Sequence, residues 1–326
     1  METSMKRIFV TGAAGFIGFH LCRALVKRGD FVIGLDNFNH YYDPLLKEQR
    51  AAQLAHCGIE IIRGDICNQP LMDSILSKNQ ISHVAHLAAQ AGVRHCIQHP
   101  EDYAASNLQG FFSVLEACRR YNKAKLIFAS SSSVYGLNRK VPFSENDKTD
   151  QPANFYAATK KSNELMAFSY HQIYGLPITG LRYFTVYGPW GRPDMACYRF
   201  ADKIAKGQPI EVFNHGQMKR DFTYIDDIIE GTLAAIDLGA SYEIFNLGNH
   251  RSVELLHLIE LLEQALQKNA VVQFLPMQPG EVLETFADIE KSSRLLHFHP
   301  KITLEEGVKK FIAWHQTYEQ ARQSTL

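Results

Sequence analysis

The sequence lacks an excess of either charge, a long hydrophobic run and any close pairing of cysteines. Its 326 residues include 34 Lys and Arg and 34 Asp and Glu, so the formal net charge is zero. This balance predicts no nucleic-acid and no membrane partner, and an anionic ligand must be held by local side chains. No apolar run approaches the roughly 20 residues of a membrane span, and residues 1–7 contain no signal-peptide core. We therefore expect a cytoplasmic protein.

The six cysteines form no Cys-x-x-Cys pair, and their spacing matches no zinc pattern. Reduced thiols in a cytosolic protein are the ordinary interpretation. His83, His86, His95 and His99 are close in sequence but lack a ligand spacing shared with a carboxylate. They are interpreted as structural or surface histidines, and no metal site is predicted.

Short apolar runs alternate with helical patterns along the first part of the chain, and no internal repeat is present. This alternation predicts an α/β fold with a parallel sheet whose strands are buried on both faces. The predicted strands are residues 7–10, 31–35, 60–63, 83–87, 125–129 and 177–182. The predicted helices are residues 16–28, 103–120 and 155–174, the last with Asn154 as N-cap and Gly175 as its end.

Three glycines follow the first predicted strand and open the first predicted helix. Gly12 would allow the tight turn, Gly15 the close approach of a pyrophosphate, and Gly18 the packing of helix on sheet. The free amides at the start of the helix would then face the anion. The spacing is Gly-x-x-Gly-x-x-Gly, and an ordinary glycine-rich turn is the alternative.

A carboxylate at the end of the second strand suits a dinucleotide. Asp36 could accept hydrogen bonds from the adenosine ribose, and no Arg or Lys occurs in residues 37–40 to meet a 2′-phosphate. The sequence therefore favours NAD over NADP. Asp65, after the third strand, fits an adenine contact and fits a turn-forming Asp nearly as well.

Tyr156 and Lys160 are spaced i, i+4 on a predicted helix and so share a face. The ammonium, together with a positive nicotinamide ring, would lower the pKa of the phenol and make Tyr156 usable as a base. The serine run 130–133 ends the fifth strand, where ligands bind in open α/β sheets. Surface packing and a serine-rich loop are the alternatives, but the combination with the glycine turn is more specific than any part.

Residues 12–18, Asp36, Ser131, Tyr156 and Lys160 together resemble the extended short-chain dehydrogenase/reductase superfamily, from residue 6 to beyond residue 288. Within it, four segments are similar to the UDP-glucuronate 4-epimerases: residues 36–47, 91–94, 183–195 and 214–227. The resemblance implies a Rossmann-type doubly wound parallel sheet in residues 1–187 and a smaller C-terminal α/β substrate-binding lobe in residues 188–326, with segments that cross between them. It also implies NAD, a UDP-sugar substrate and a homodimer joined by two long helices per subunit.

The resemblance implies a role for each matching residue. Tyr156 would be the catalytic base, Lys160 its partner and Ser131 the third member, an assignment that could shift by one within the serine run. The residues expected at the cofactor are Gly12, Gly15, Phe16, Ile17, Gly18, Asp36, Asn37, Asp65, Ile66, Leu87, Ala88, Ala89, Asn107, Tyr156, Lys160 and Tyr183. Those expected at the substrate are Arg94, Ser132, Ser133, Thr185, Arg192 and Arg220.

The implied reaction is 4-epimerisation of UDP-glucuronate to UDP-galacturonate through a 4-keto sugar. Residues 131–136 carry no Asp or Glu, unlike the related dehydratases and decarboxylases. Arg192, whose planar fork suits a carboxylate, would hold the uronate away from the geometry for loss of CO₂; a structural Arg in a Pro/Gly loop is the alternative. An epimerase of neutral UDP-hexoses, a UDP-uronate decarboxylase and a catalytically silent NAD-binding protein remain open.

Overall fold

The computed structural model describes residues 5–121, 123–278, 280 and 282–323. Its strands are β1 Arg7–Thr11, β2 Phe31–Asp36, β3 Glu60–Arg63, β4 His83–His86, β5 Lys125–Ser131, β6 Ile178–Tyr183, β7 Thr185–Tyr187, β8 Pro209–Phe213, β9 Lys219–Arg220, β10 Phe222–Tyr224, β11 Tyr242–Leu247, β12 Val253–Glu254 and β13 Val271–Leu275. Its α-helices are α1 Phe16–Lys27, α2 Leu45–His56, α3 Gln69–Asn79, α4 Val93–Gln98, α5 Pro100–Tyr103, α6 Phe111–Arg120, α7 Phe155–Tyr174, α8 Ala196–Ala205, α9 Ile225–Leu238, α10 Leu255–Leu266, α11 Glu290–Leu296 and α12 Leu304–Gln323.

The central sheet has the strand order β11-β6-β5-β4-β1-β2-β3, and neighbouring strands are parallel throughout. The chain winds outward from β1 in both directions, so the order reverses between β1 and β4. In open α/β sheets, ligands bind outside the carboxyl ends of the strands at such a switch point. The predicted Rossmann-type doubly wound sheet is confirmed.

Helices cover both faces of the sheet because its strands are apolar on both sides. On one face α1 and α9 pack through residues such as Phe19 and Ile228, and on the other α6 packs through Phe111 and Val114, all of them buried. Each fully buried side chain of this size contributes roughly 1.5–3 kcal/mol to folding. The two buried faces explain why the strand segments contain few polar residues.

The second of the long predicted helices differs from its prediction. It begins with Pro100 and contains a π-helical segment, Ala104–Gly110, before α6. Proline favours the first turn of a helix, where its missing amide would have no partner. Asn107 lies in this π-helical segment, and its side chain is buried. The helix at residues 155–174 agrees with its prediction: Asn154 Oδ1 accepts from Ala157 N at 2.9 Å, and Gly175 is left-handed.

The smaller C-terminal lobe contains three short two-stranded sheets, together with α8, α10 and α12. The chain does not stay in this lobe after residue 187, because β11 returns to the edge of the central sheet and α9 packs on α1. The division of the chain at residue 187 remains a prediction. Within the described residues, no helix is both long and apolar enough to span a bilayer.

Because several histidines are buried, we expect the free energy of unfolding to fall at acidic pH. Burial lowers the pKa of His20 and of His83 to about 4 and that of His86 to about 3. Below pH 6.5 these rings take up protons only in the unfolded chain, so stability falls as the pH drops from about 6.5 towards 4. Each ring contributes up to about 1.4 kcal/mol per pH unit. Urea denaturation at pH 7 and pH 5 measures this loss, and equal free energies of unfolding at both values would contradict it.

Candidate active site

A cleft of about 710 Å³ lies at the carboxyl ends of the central strands and extends to the smaller lobe. Its size is typical of a site for a nucleotide or similar ligand. It is lined by most of the residues predicted from sequence, namely Gly12, Gly15, Phe16, Ile17, Gly18, Asp36, Asn37, Ile66, Leu87, Ala88, Ala89, Arg94, Ser131, Ser132, Ser133, Tyr156, Lys160, Tyr183, Thr185, Arg192 and Arg220. The predicted residues absent from this lining are Asp65 and Asn107.

The glycine turn between β1 and α1 has no room for larger residues. Gly12 has a φ of 71°, and a Cβ there would lie 2.7 Å from the backbone nitrogen of Ala88. A Cβ at Gly15 would lie 2.9 Å from the Gly12 carbonyl oxygen, and one at Gly18 would collide with the same oxygen. The start of α1 therefore lies at the floor of the cleft with its first amides accessible to an anion. This cradle fits a pyrophosphate.

Asp36 holds the same turn in place. Its Oδ2 accepts from Ala14 N at 3.0 Å, and its Oδ1 accepts from Phe38 N at 2.9 Å. Burial raises the pKa of Asp36, opposed by these amides and by the ammonium of Lys47. The carboxylate lines the cleft at the end of β2, as the ribose role requires.

Two residues predicted at the cofactor, Asp65 and Asn107, have hydrogen-bond partners within the protein. Asp65 accepts from Cys67 N and from Asn37 Nδ2, both at 2.8 Å, which is the geometry of the turn-forming alternative. Asn107 bonds both backbone groups of Gln90 and donates to Thr159 Oγ1 at 3.0 Å. Neither residue is among those that line the cleft, and their roles at the cofactor remain predictions.

The hydroxyl of Tyr156 lies close enough to the Ser131 side chain for that side chain to act on the pKa of the phenol. Burial raises the pKa of Tyr156, while Ser131 and the charge of Arg192 act to lower it. Lys160 donates from Nζ to Ala129 O at 2.8 Å, and burial lowers its pKa to about 8. Among the protein's own groups, loss of water outweighs the contributions that lower the pKa of Tyr156, and the predicted lowering depends also on the positive nicotinamide ring of NAD.

The four serines at the end of β5 differ in what they contact. Ser130 Oγ donates to Glu164 Oε1 at 2.7 Å and is buried. Ser131 Oγ accepts from Ser133 N at 3.1 Å, and Ser131 is the serine whose side chain acts on the pKa of Tyr156. This geometry favours Ser131 as the third member of the reactive group.

Glu164 connects the helix of Tyr156 to the strand of Ser131. It accepts from Arg182 Nε and Nη2, both at 2.8 Å, and from Ser130. Burial alone would raise the pKa of Glu164, but the hydrogen bonds and charge of Arg182 hold it below its usual range. Both partners are buried, so the pair aligns α7 with β5 and β6.

Glu164→Gln should destabilise the fold by about 3 kcal/mol or more, because it leaves the guanidinium of Arg182 buried without its counter-ion. Urea denaturation measures the change. Glu48→Gln is the matched control, since Glu48 forms a similar two-bond pair with Arg63 on the surface and should cost under about 1 kcal/mol. Equal losses in the two variants would contradict a special role for the buried pair.

Arg192 lines the cleft with its guanidinium already paired. Nε and Nη2 donate to Asp194 at 3.0 and 2.5 Å, and Nη2 also donates to Ala91 O at 3.1 Å. Tyr41 donates to Asp194 Oδ2 at 2.9 Å. Burial raises the pKa of Asp194, but Arg192 outweighs it and holds the net pKa low, so the carboxylate stays ionised. Arg192 is therefore fixed in orientation before any ligand arrives.

The end of the cleft nearest the smaller lobe combines basic and apolar groups. The guanidinium of Arg94 lies 4.1 Å from the ring centre of Phe213, and Arg220 donates from Nη1 to Lys219 O at 2.8 Å. Met218 also lines this part. An aromatic ring beside cationic groups suits a base and a diphosphate.

Several lining residues were not predicted from sequence. They include Tyr41, Lys47, Gln90, Asp194, Arg199, Phe213, Met218 and Val282. No local motif signals them, because they reach the cleft from separate elements, including α2, α8 and β8. These residues include Tyr41, which lies in the segment 36–47 that resembles the UDP-glucuronate 4-epimerases. Its hydroxyl donates to Asp194 Oδ2 and so connects this segment to the residues around Arg192.

The fold and site define a class of nucleotide-dependent enzymes, and comparison with known families agrees. The NAD dependent epimerase/dehydratase family matches residues 8–248. The chain therefore belongs to that family, which confirms the resemblance and the use of NAD.

Individual relatives are similar over nearly the whole chain. UDP-glucuronate 4-epimerase 4 of Arabidopsis thaliana is 50% identical, covering 95% of this chain and 75% of that protein. The crystal structure of UDP-glucuronic acid 4-epimerase from Bacillus cereus, in complex with UDP-glucuronic acid and NAD, has a TM-score of 0.90 and 38% identity, covering 96% of this chain and 99% of that one. UDP-glucose 4-epimerase of Thermotoga maritima, with UDP-glucose, has a TM-score of 0.87 and 30% identity, covering 96% and 99%.

Proposed function

We propose that this protein catalyses the NAD-dependent 4-epimerisation of UDP-glucuronate to UDP-galacturonate. The observation that carries the proposal is the position of Arg192, a guanidinium held in the same cleft as the Tyr156–Ser131 pair. The relatives point the same way, since identity is 50% to a UDP-glucuronate epimerase and 30% to a UDP-glucose epimerase.

The residues that would hold NAD are those of the glycine turn, with the amides of α1 at the pyrophosphate and Asp36 at the adenosine ribose. Lys160, at the other end of the cleft, would contact the nicotinamide ribose. When bound, NAD supplies the redox chemistry and a positive ring next to Tyr156. The apolar residues Ile66 and Leu87 complete the walls.

The chain's own groups orient the sugar and move its proton. Tyr156 accepts the proton of the 4-hydroxyl as C4 becomes a ketone and returns it as the ketone is reduced from its other face. Ser131, whose side chain lies next to the phenol, would hydrogen-bond the substrate oxygen. Arg94 and Arg220 hold the diphosphate end, so the sugar can turn while the nucleotide stays bound.

The residues of the site argue against each of the competing activities. A dehydratase or decarboxylase of the related type uses an acidic residue in the segment 131–136, where this chain has three serines followed by Val134, Tyr135 and Gly136. A neutral hexose has no carboxylate, so it would form no ion pair with a guanidinium in the sugar pocket. A silent NAD-binding protein has no need for the Tyr156–Lys160 pair.

Proton NMR of the purified protein with UDP-glucuronate, followed over time and compared with UDP-glucose, tests the proposal. Conversion of the uronate alone to its C4 epimer is the expected result. Turnover of UDP-glucose in its place, or a pentose product with CO₂, would overturn the assigned substrate. No turnover of either sugar, with NAD bound, would favour the silent protein.

The same resemblance leads us to propose a homodimer. The faces of α6 and α7 carry large exposed apolar side chains, including Phe112 at 41%, Leu165 at 59% and Phe168 at 48% exposure. A second copy would cover them. Leu165→Glu should shift the molecular mass in light scattering to that of a monomer, whereas Leu238→Glu, at an exposed leucine of α9, should not. A monomeric wild-type protein would contradict the proposal.

The cytoplasm is the location we propose, since all six cysteines are unpaired thiols. A fluorescent fusion of the full chain would show its location directly.

A further inference from the structure

A second cluster of ligand-type side chains lies away from the cleft, between two helices of the smaller lobe. His315 and Glu319 are one turn apart on α12 and share a face. Asp202 approaches them from α8. One ligand atom from each of the three lies within 4.8 Å of the others, and none of these residues lines the cleft. The cluster is therefore separate from the catalytic groups.

His315 is the unusual member. Its side chain is buried, with 1% of the residue exposed, and its Nε2 has no hydrogen-bond partner. The nearest acidic atom is Asp202 Oδ1 at 4.0 Å, which is beyond hydrogen-bond range. A buried ring nitrogen without a partner is unfavourable, and an ion is one of the recognised explanations for such an atom. His315 is the one buried unpartnered group that faces two carboxylates among the described residues.

The chemistry of the cluster suits a divalent transition metal. One imidazole and two carboxylates form a nitrogen–oxygen set of the kind that Zn²⁺ accepts, with water completing the tetrahedron. The Nε2 atom of His315 is buried and makes no hydrogen bond, so it is available to an ion. The separations of 4.0 to 4.8 Å exceed those around a bound ion, and rotation of Asp202 and Glu319, both half-buried, would close them.

One neighbouring charge competes with an ion. Lys206 pairs with Asp202 Oδ1 at 2.6 Å, and its own side chain is 45% exposed. An exposed pair of this kind contributes little stability, so the ammonium can move into solvent. A bound ion would displace the ammonium of Lys206 from Asp202 and would be coordinated by the two carboxylates and the ring of His315.

From this geometry we propose that Asp202, His315 and Glu319 form a zinc-class metal site that ties α12 to α8. The sequence predicts no metal site, because Asp202 is distant along the chain and only folding places it beside the pair on α12. The tie has a structural consequence: α8 begins directly after the segment that carries Arg192, so an ion would restrain one wall of the cleft.

The test uses the full chain, treated with a chelator, dialysed and titrated with ZnCl₂ alone in a calorimeter. We expect one ion per chain and a higher melting temperature with zinc. His315→Gln and Glu319→Gln should each weaken binding by roughly tenfold or more. Lys206→Gln should tighten it, a change that a purely structural role for these residues would not produce.

His257→Gln is the matched control. His257 is an exposed ring beside Glu260 and Glu305, so it reproduces the residue types without the burial. Unchanged binding in this variant, with weaker binding in the other two, supports the site. Absence of zinc binding by the wild type, or equal loss in His257→Gln, would overturn it. Glu319→Gln keeps the test valid if His315→Gln does not fold, because Glu319 is only half-buried.

Discussion

Replacing Tyr156 by phenylalanine should lower kcat on UDP-glucuronate by about 10² to 10⁴, the range associated with loss of a general base. The ring packs beside Tyr103 with centroids 6.1 Å apart, and phenylalanine keeps that contact. KM should change little, because the lost hydroxyl acts on the reacting oxygen and leaves the diphosphate contacts in place. Initial rates followed by NMR or a coupled assay give both constants.

Tyr170→Phe is the control for this variant. Tyr170 lies on the same helix and also donates its hydroxyl, to Glu116 Oε1 at 2.8 Å, but it does not line the cleft. Its kcat should remain within about twofold of the wild type, as expected for a change outside the site. A large loss in both variants would mean that disturbance of α7, and not proton transfer, explains the effect at Tyr156.

Replacing Arg192 by alanine should reduce turnover of UDP-glucuronate by roughly tenfold to a hundredfold and should release pentose product. The 4-keto form of a uronate is a β-keto acid, which loses CO₂ when the carboxyl bond stands perpendicular to the ketone plane. Arg192 is rigidly held by Asp194 and by Ala91 O, so it can fix the carboxylate in another orientation. A charged hydrogen bond of about 1.5–3 kcal/mol sets the size of the effect. NMR detects the uronate and pentose products in one sample.

Arg192→Lys and Asp194→Asn separate charge from orientation. Lysine keeps the charge but loses the planar fork, so it should retain binding and still release pentose. Asn at position 194 removes the counter-ion and leaves Arg192 freer to turn, which should also increase the pentose fraction. Unchanged kinetics of Arg192→Ala on UDP-glucuronate would remove this role and leave the structural alternative.

Because Arg192 is already paired with Asp194, it would not act on the substrate carboxylate as an isolated positive charge. Asp194 neutralises much of its charge and also receives the hydroxyl of Tyr41. A substrate carboxylate would join this cluster and not replace it. Orientation is then the main contribution of Arg192, since a second anion gains less from a guanidinium that is already paired.

Most of the fold was predictable, because the signals are local. The glycine turn is visible in the sequence of residues 12–18. A glycine is required at position 12, because the close approach to Ala88 leaves no room for a side chain there. Six of the seven strands of the central sheet were predictable from the short apolar runs of the sequence, and the edge strand β11 was not predicted. The π-helical segment Ala104–Gly110 was not predictable from the sequence, because no local pattern distinguishes it from an α-helix.

By itself, the sequence determined the parallel sheet, the phosphate turn and the Tyr156–Lys160 pair, because each depends on spacing within one strand or one helical turn. Only the tertiary structure decided that Tyr41 and Ala91 hold the Arg192–Asp194 pair, that Ser130 bonds Glu164 and leaves Ser131 beside Tyr156, and that Asn37 bonds Asp65. These outcomes depend on burial and on contacts between segments far apart in the chain. A hydrogen bond or ion pair of that kind exists only after packing has brought its two groups together and removed the water between them.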